Sequence, residues 1–130
     1  MKIELPYPSS ELHAHNSGNW RNKSKPTQAA RTRAKFICLD MLYRNEIRPI
    51  SGKVLISYAI FVPDNRVRDT VNILQAMKPS IDGVVDSGLV EGDSWQQMTL
   101  YNVSVQIDRK NPRVEITLNS TNGNGDLMPK

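Results

Sequence analysis

Residues 53–62, Lys-Val-Leu-Ile-Ser-Tyr-Ala-Ile-Phe-Val, constrain the fold of this chain more than any other stretch. They are rich in β-branched and aromatic side chains, follow a Ser51-Gly52 turn and stop at Pro63. Such a run, bounded by turn residues, reads as a core strand. A strand of that kind needs a sheet around it, and a sheet needs a second layer to bury its face.

The rest of the chain supplies both. Residues 2–5 alternate as a short first strand, stopped by Pro6 and Pro8. Residues 9–26 are polar and lack periodicity, so a long loop is expected, with Arg21, Lys23 and Lys25 around Trp20. Thr27 is placed to cap a helix running to about Asn45. Ala30, Ala34, Ile37, Cys38, Met41 and Leu42 form one apolar stripe along it. A second helix is expected over 71–87, with Leu74, Met77, Ile81, Val84 and Val85 on its apolar face. Pro79 inside it predicts a kink or an irregular turn, and Gly88 a stop. Residues 99–107 and 113–118 alternate as strands joined by the turn at 108–112. The expectation is an α/β (α+β) domain over 1–118: a mixed sheet with two main helices, in the order β-α-β-α-β-β. Residues 119–130 read as a flexible tail.

Composition narrows the function. With 38% hydrophobic and 23% charged residues, the 130-residue chain fits one ordinary core. Its 17 Lys plus Arg against 13 Asp plus Glu give a net charge of +4, which permits an anionic partner without requiring one. The single cysteine, Cys38, excludes an intrachain disulfide and fits a reducing, cytoplasmic setting. No run of about 18 apolar residues argues for a membrane span.

The chemistry concentrates between residues 63 and 94. The core strand hands over at Pro63 to a polar loop, Asp64-Asn65-Arg66-Val67-Arg68-Asp69, which enters the second helix. Loops held by rigid elements are where functional groups gather. Lys78 and Asp82 are four residues apart and share a helix face. After Gly88 the chain presents Glu91 and Asp93. Carboxylates from two loops converging on that face would make a Mg²⁺ site of the water-rich kind. On spacing alone, an Asp at a helix start equally reads as an N-cap.

In these residues the chain resembles the RusA family of Holliday-junction resolvases. The matching positions run in order: Leu5-Pro6-Tyr7-Pro8-Ser9, Arg66-Val67-Arg68-Asp69-Thr70-Val71-Asn72, Lys78, Asp82-Gly83, Gly88 and Asp93. The resemblance spans roughly residues 3–118, and its specific part is residues 63–94. It implies Mg²⁺-dependent cleavage of four-way DNA junctions by a homodimer, in recombination and repair. By position, Asp69 and Asp93 would be metal ligands, Lys78 would act at the scissile phosphate, and Arg66 and Arg68 would hold the DNA backbone. Arg21, Lys23 and Lys25 would extend that surface. The chain departs from the family pattern at Val71 and Gly92, where the family has aspartates. Asp64, Asp82 or Glu91 are candidate substitutes; otherwise the chain binds branched DNA without cutting it.

Blander readings stand beside these. His13 and His15 read as solvated imidazoles. Trp20 either stacks on nucleic acid or anchors its loop. Trp95 reads as a packing residue or a dimer contact, Asp82 and Asp86 as solvated helix charges, and Arg31, Arg33 and Lys35 as a solvated or DNA-facing helix surface. A basic α/β domain with a protein partner would show little salt dependence in any DNA binding.

Overall fold

A computed structural model describes residues 1–9, 12 and 20–121. Its elements are β1 (Lys2–Pro6), α1 (Trp20–Tyr43), β2 (Val54–Val62), α2 (Thr70–Ala76), α3 (Lys78–Asp86), β3 (Met98–Ile107) and β4 (Arg113–Ser120). The four strands form one mixed sheet in the order β1-β4-β2-β3. β4 runs antiparallel to both β1 and β2, whereas β3 runs parallel to β2. The α+β class and the element order therefore follow the sequence expectation.

The strand at 54–62 has a partner on each side, and its alternation sets the layers. Ile56, Tyr58 and Ile60 lie on the face where their cross-strand mates are buried: Leu118, Ile116 and Val114 of β4, then Ile3 and Leu5 of β1. Ala34 and Cys38 from α1, Ile73 from α2, and Ile81 and Val84 from α3 complete this core. On the opposite face the alternate residues of β4 are polar. There Arg113 bonds Glu115 (2.8 Å) and Asp108 (2.8 Å) and lies 3.8 Å from the Phe61 ring centroid. The result is two layers, helices on one side of the sheet.

Several boundaries differ from expectation for physical reasons. α1 begins at Trp20 rather than Thr27 and carries Pro26 inside it. A proline forfeits one helical hydrogen bond, but its fixed φ is itself helical. α1 ends with Asn45 at φ 60°. Asn45 N–H bonds the Leu42 carbonyl (3.1 Å) and Glu46 N–H bonds that of Met41 (2.9 Å), a Schellman closure. The expected second helix is two helices broken at Met77, with Pro79 in the first turn of α3, where a missing N–H costs nothing. β4 continues through Asn119 and Ser120, and Thr121 is buried with its N–H on the Lys53 carbonyl (3.2 Å). Residues 119–121, expected in the tail, thus belong to the sheet and its end; residues 122–130 lie outside the described residues, as do His13 and His15.

The turn at 108–112 joins two strands that are not neighbours. β2 lies between β3 and β4, so the turn crosses the end of β2, where Asp108 N–H bonds the Val62 carbonyl (2.8 Å). α1 and α3 pack closely. A Cβ at Gly83 would fall 2.1 Å from the backbone oxygen of Arg31, so only glycine allows this approach.

Candidate nucleic-acid interface

The site begins where β2 stops. Beyond Pro63 the loop is organised by Asp64, whose Oδ1 accepts from the Arg66 backbone N–H (3.0 Å) and pairs with the guanidinium groups of Arg68 (2.8 Å) and Arg66 (3.3 Å). Arg68 also donates to the carbonyls of Asp64 (3.0 Å) and Arg66 (3.2 Å). These partners, Arg68 foremost, hold the Asp64 carboxyl well below the usual carboxylate range. The two arginines differ in consequence. Arg68 is 19% exposed and fastens the loop, while Arg66 is 78% exposed and faces solvent.

Asp69 follows as the N-cap of α2, its side chain accepting the Val71 N–H at 2.9 Å. Val71 itself is exposed. The break at Met77 then starts a new helix at Lys78. Lys78 Nζ bonds Asp82 Oδ1 at 2.7 Å, one turn away, and also Asp93. Asp93 is brought there by a pinned segment. Gly88 turns at φ +86°, Leu89 and Val90 are buried, and the Leu89 carbonyl accepts from Ile50 N–H (2.8 Å). Asp82 first, then Asp93, raise the Lys78 ammonium above its ordinary value. Lys78 in turn lowers Asp93.

This ionic group closes one side of a cleft of about 280 Å³ whose other walls include Tyr58, Leu74, Met98 and Leu100. Tyr58 is half-buried, and burial pushes its phenol up to about 12, with Lys78 opposing and Asp93 adding to the shift. Tyr58 went unmarked in the sequence because a tyrosine in a core strand reads as packing. Its only signal is its place on the helix-facing parity of β2, two residues from Ile56.

The structure therefore joins Lys78, Asp82 and Asp93, and separately Asp64, Arg66 and Arg68. Asp64 and Asp82, offered as substitute ligands, are committed to cations already. Glu91 is exposed. Arg21 and Lys23 belong to the first turn of α1, and their side chains, like that of Trp20, lie outside the described residues; Lys25 is exposed. Asp86 is no free helix charge. It takes a two-point contact from Arg31 (2.6 and 2.9 Å), which ties α3 to α1 and removes Arg31 from any free basic surface. Trp95 is 75% exposed.

The donor set fits a protein-held Mg²⁺ ion poorly. Each carboxylate at the expected positions already has a partner, Asp69 a backbone N–H and Asp93 an ammonium. Among the described residues, no three His, Cys, Asp or Glu side chains gather in one place. Among them, too, no helix is long and apolar enough to cross a membrane.

No family model matches the chain. It is similar to an uncharacterized protein of Xylella fastidiosa, 26% identical over 85 residues. The match covers 65% of this chain and 56% of that protein, so the chain accounts for little more than half the length of its relative.

Proposed function

We propose that this chain is a RusA-like protein of branched DNA that grips four-way junctions as a homodimer and has lost most of the capacity to cut them. The observation that carries this reading is the engagement of Asp93 by Lys78 at a position where the resemblance expects a metal ligand. Val71 and Gly92 supply no carboxylate at the other two family positions, so the acidic set is left with Asp69 as a helix cap and Asp93 as an ion-pair partner. The loop after β2 would supply the basic grip. Arg66 projects from a loop stiffened by the Asp64–Arg68 pair, and a guanidinium held on a rigid base loses little entropy on meeting a phosphate. Arg21, Lys23 and Lys25 extend the same role along the first turns of α1. The setting is the cytoplasm, in recombination and repair, which suits a chain whose one cysteine is a buried thiol.

A second reading, Mg²⁺-dependent cleavage with Asp69 and Asp93 as ligands and Lys78 assisting, is favoured by one feature. Asp82 of α3 and Asp93 of the following loop meet at a single cation position. It requires Lys78 to give up Asp93.

A gel assay of a synthetic four-way junction against linear duplex, with Mg²⁺ and with EDTA, separates the two. Selective, salt-sensitive junction binding without nicks is the expected result. Paired nicks that need Mg²⁺ and vanish in Asp69→Asn would establish the second reading. No preference for the junction would reject both.

A further inference from the structure

We infer that β3 is the dimer edge, and that a second copy of this chain adds its own β3 antiparallel across a twofold axis. The inference rests on the strand itself; its relevance to DNA rests on the homodimer of the function proposed above. β3 is ten residues long and, among the described residues, pairs only with β2, so its outer row of backbone donors and acceptors has no strand beside it. Edge strands of folded proteins are usually short, or carry charge or proline that blocks pairing. The other edge, β1, obeys that rule: five residues with Lys2, Glu4 and Pro6. From Met98 to Ile107, β3 has neither a charged residue nor a proline.

Its side chains also lack cover. The register with β2 puts Leu100, Val103, Val105 and Ile107 on the helix-facing side, opposite Ile56, Tyr58, Ile60 and Val62. Leu100, Val105 and Ile107 are nonetheless each about half exposed. Apolar residues at an unprotected edge are a template for another strand.

Charge selects a second copy in the antiparallel sense. The chain enters β3 past the exposed Glu91, whose neighbour Gly92 abuts the Gln97 side chain just before the strand. It leaves β3 through Arg109 and Lys110. No ion pair among the described residues engages Glu91, Arg109 or Lys110. Antiparallel pairing sets the acidic entrance of one β3 beside the basic exit of its mate, and the twofold repeats this at the other end. Parallel pairing would oppose like charges at both ends.

Sedimentation over a concentration series of the purified full chain tests this. The wild type is expected to dimerise, and Val105→Lys, which places two ammonium groups in the paired edge, to weaken the dimer at least about tenfold. Lys110→Glu weakens it less, and adding Glu91→Lys restores it. A wild type that stays monomeric overturns the inference, as does a dimer indifferent to Val105→Lys when circular dichroism shows that variant folded. Should Val105→Lys not fold, the exposed charge pair decides alone: loss and rescue support the antiparallel edge, and no response overturns it. Junction binding is measured on the same samples. A β3 dimer without junction binding rejects the function while leaving the interface standing.

Discussion

Gly83 faces the main-chain oxygen of Arg31 across the α1–α3 contact, with room for a hydrogen and no more. The obstacle is backbone, in a helix tied to α3 by the Arg31–Asp86 pair, so it cannot swing aside. Gly83→Ala is expected to destabilise the fold by about 2–4 kcal/mol, beyond the usual cost of overpacking because two helices must separate. Urea unfolding would show a lower midpoint at unchanged slope.

Removing the ammonium from Lys78 should act on Asp93 first. In Lys78→Met, the Asp93 carboxyl loses what holds it down and faces Asp82, so its pKa should rise. Carboxyl-carbon NMR over a pH series reads this directly. Folding lowers the Asp93 pKa in the wild type, so the pair stabilises the protein above the unfolded value of about 3.9 and is lost as pH falls through the folded value. The variant should therefore lose the acid-side part of this dependence.

Arg66 and Arg68 should separate in their effects. Arg66→Ala removes an exposed cation, and should weaken junction binding uniformly across sequences while lowering the salt slope by about 1. Arg68→Ala frees Asp64 as well. The Asp64 carboxyl then returns toward its ordinary range, so acid unfolding should begin at higher pH than in the wild type. Paired measurements of binding and acid stability would show Arg66 moving chiefly the first and Arg68 both.

Placing aspartates at the two positions where the RusA pattern has them tests the proposed loss of cutting. Val71 is exposed in the first turn of α2, where an aspartate suits the helix N-terminus, so Val71→Asp should change stability by no more than about 0.5 kcal/mol. Gly92→Asp must push Gln97 aside and break its bond from Ser94 Oγ, at a cost of about 1 kcal/mol. The double variant is expected to nick a four-way junction in Mg²⁺ where the wild type does not, as read on a denaturing gel.

The strands and helices were legible because each carries its own periodicity: Val54 to Val62 announces a strand, and Ala30 to Leu42 a helical stripe. Strand order was not. Nothing local in Asp108 to Pro112 says that β2 lies between the strands this turn connects, since neighbours in a sheet are chosen by long-range packing. At the site, the i,i+4 spacing gave Lys78–Asp82, but the reach to Asp93 depends on Leu89 and Val90 being buried. Asp64 as an arginine clamp and Tyr58 as a cleft wall depend on tertiary placement that no spacing encodes.

The pairing of β1 with β4 carries a consequence for how the molecule is made. Lys2 sits opposite Thr117, so the first strand of the domain waits for its last. Until β4 emerges, β2 also lacks the neighbour that covers one of its edges, and Ile3, Leu5, Ile56 and Ile60 have no finished core to enter. A domain arranged this way cannot close its core until β4 has emerged. Until then those side chains are open to other nascent chains.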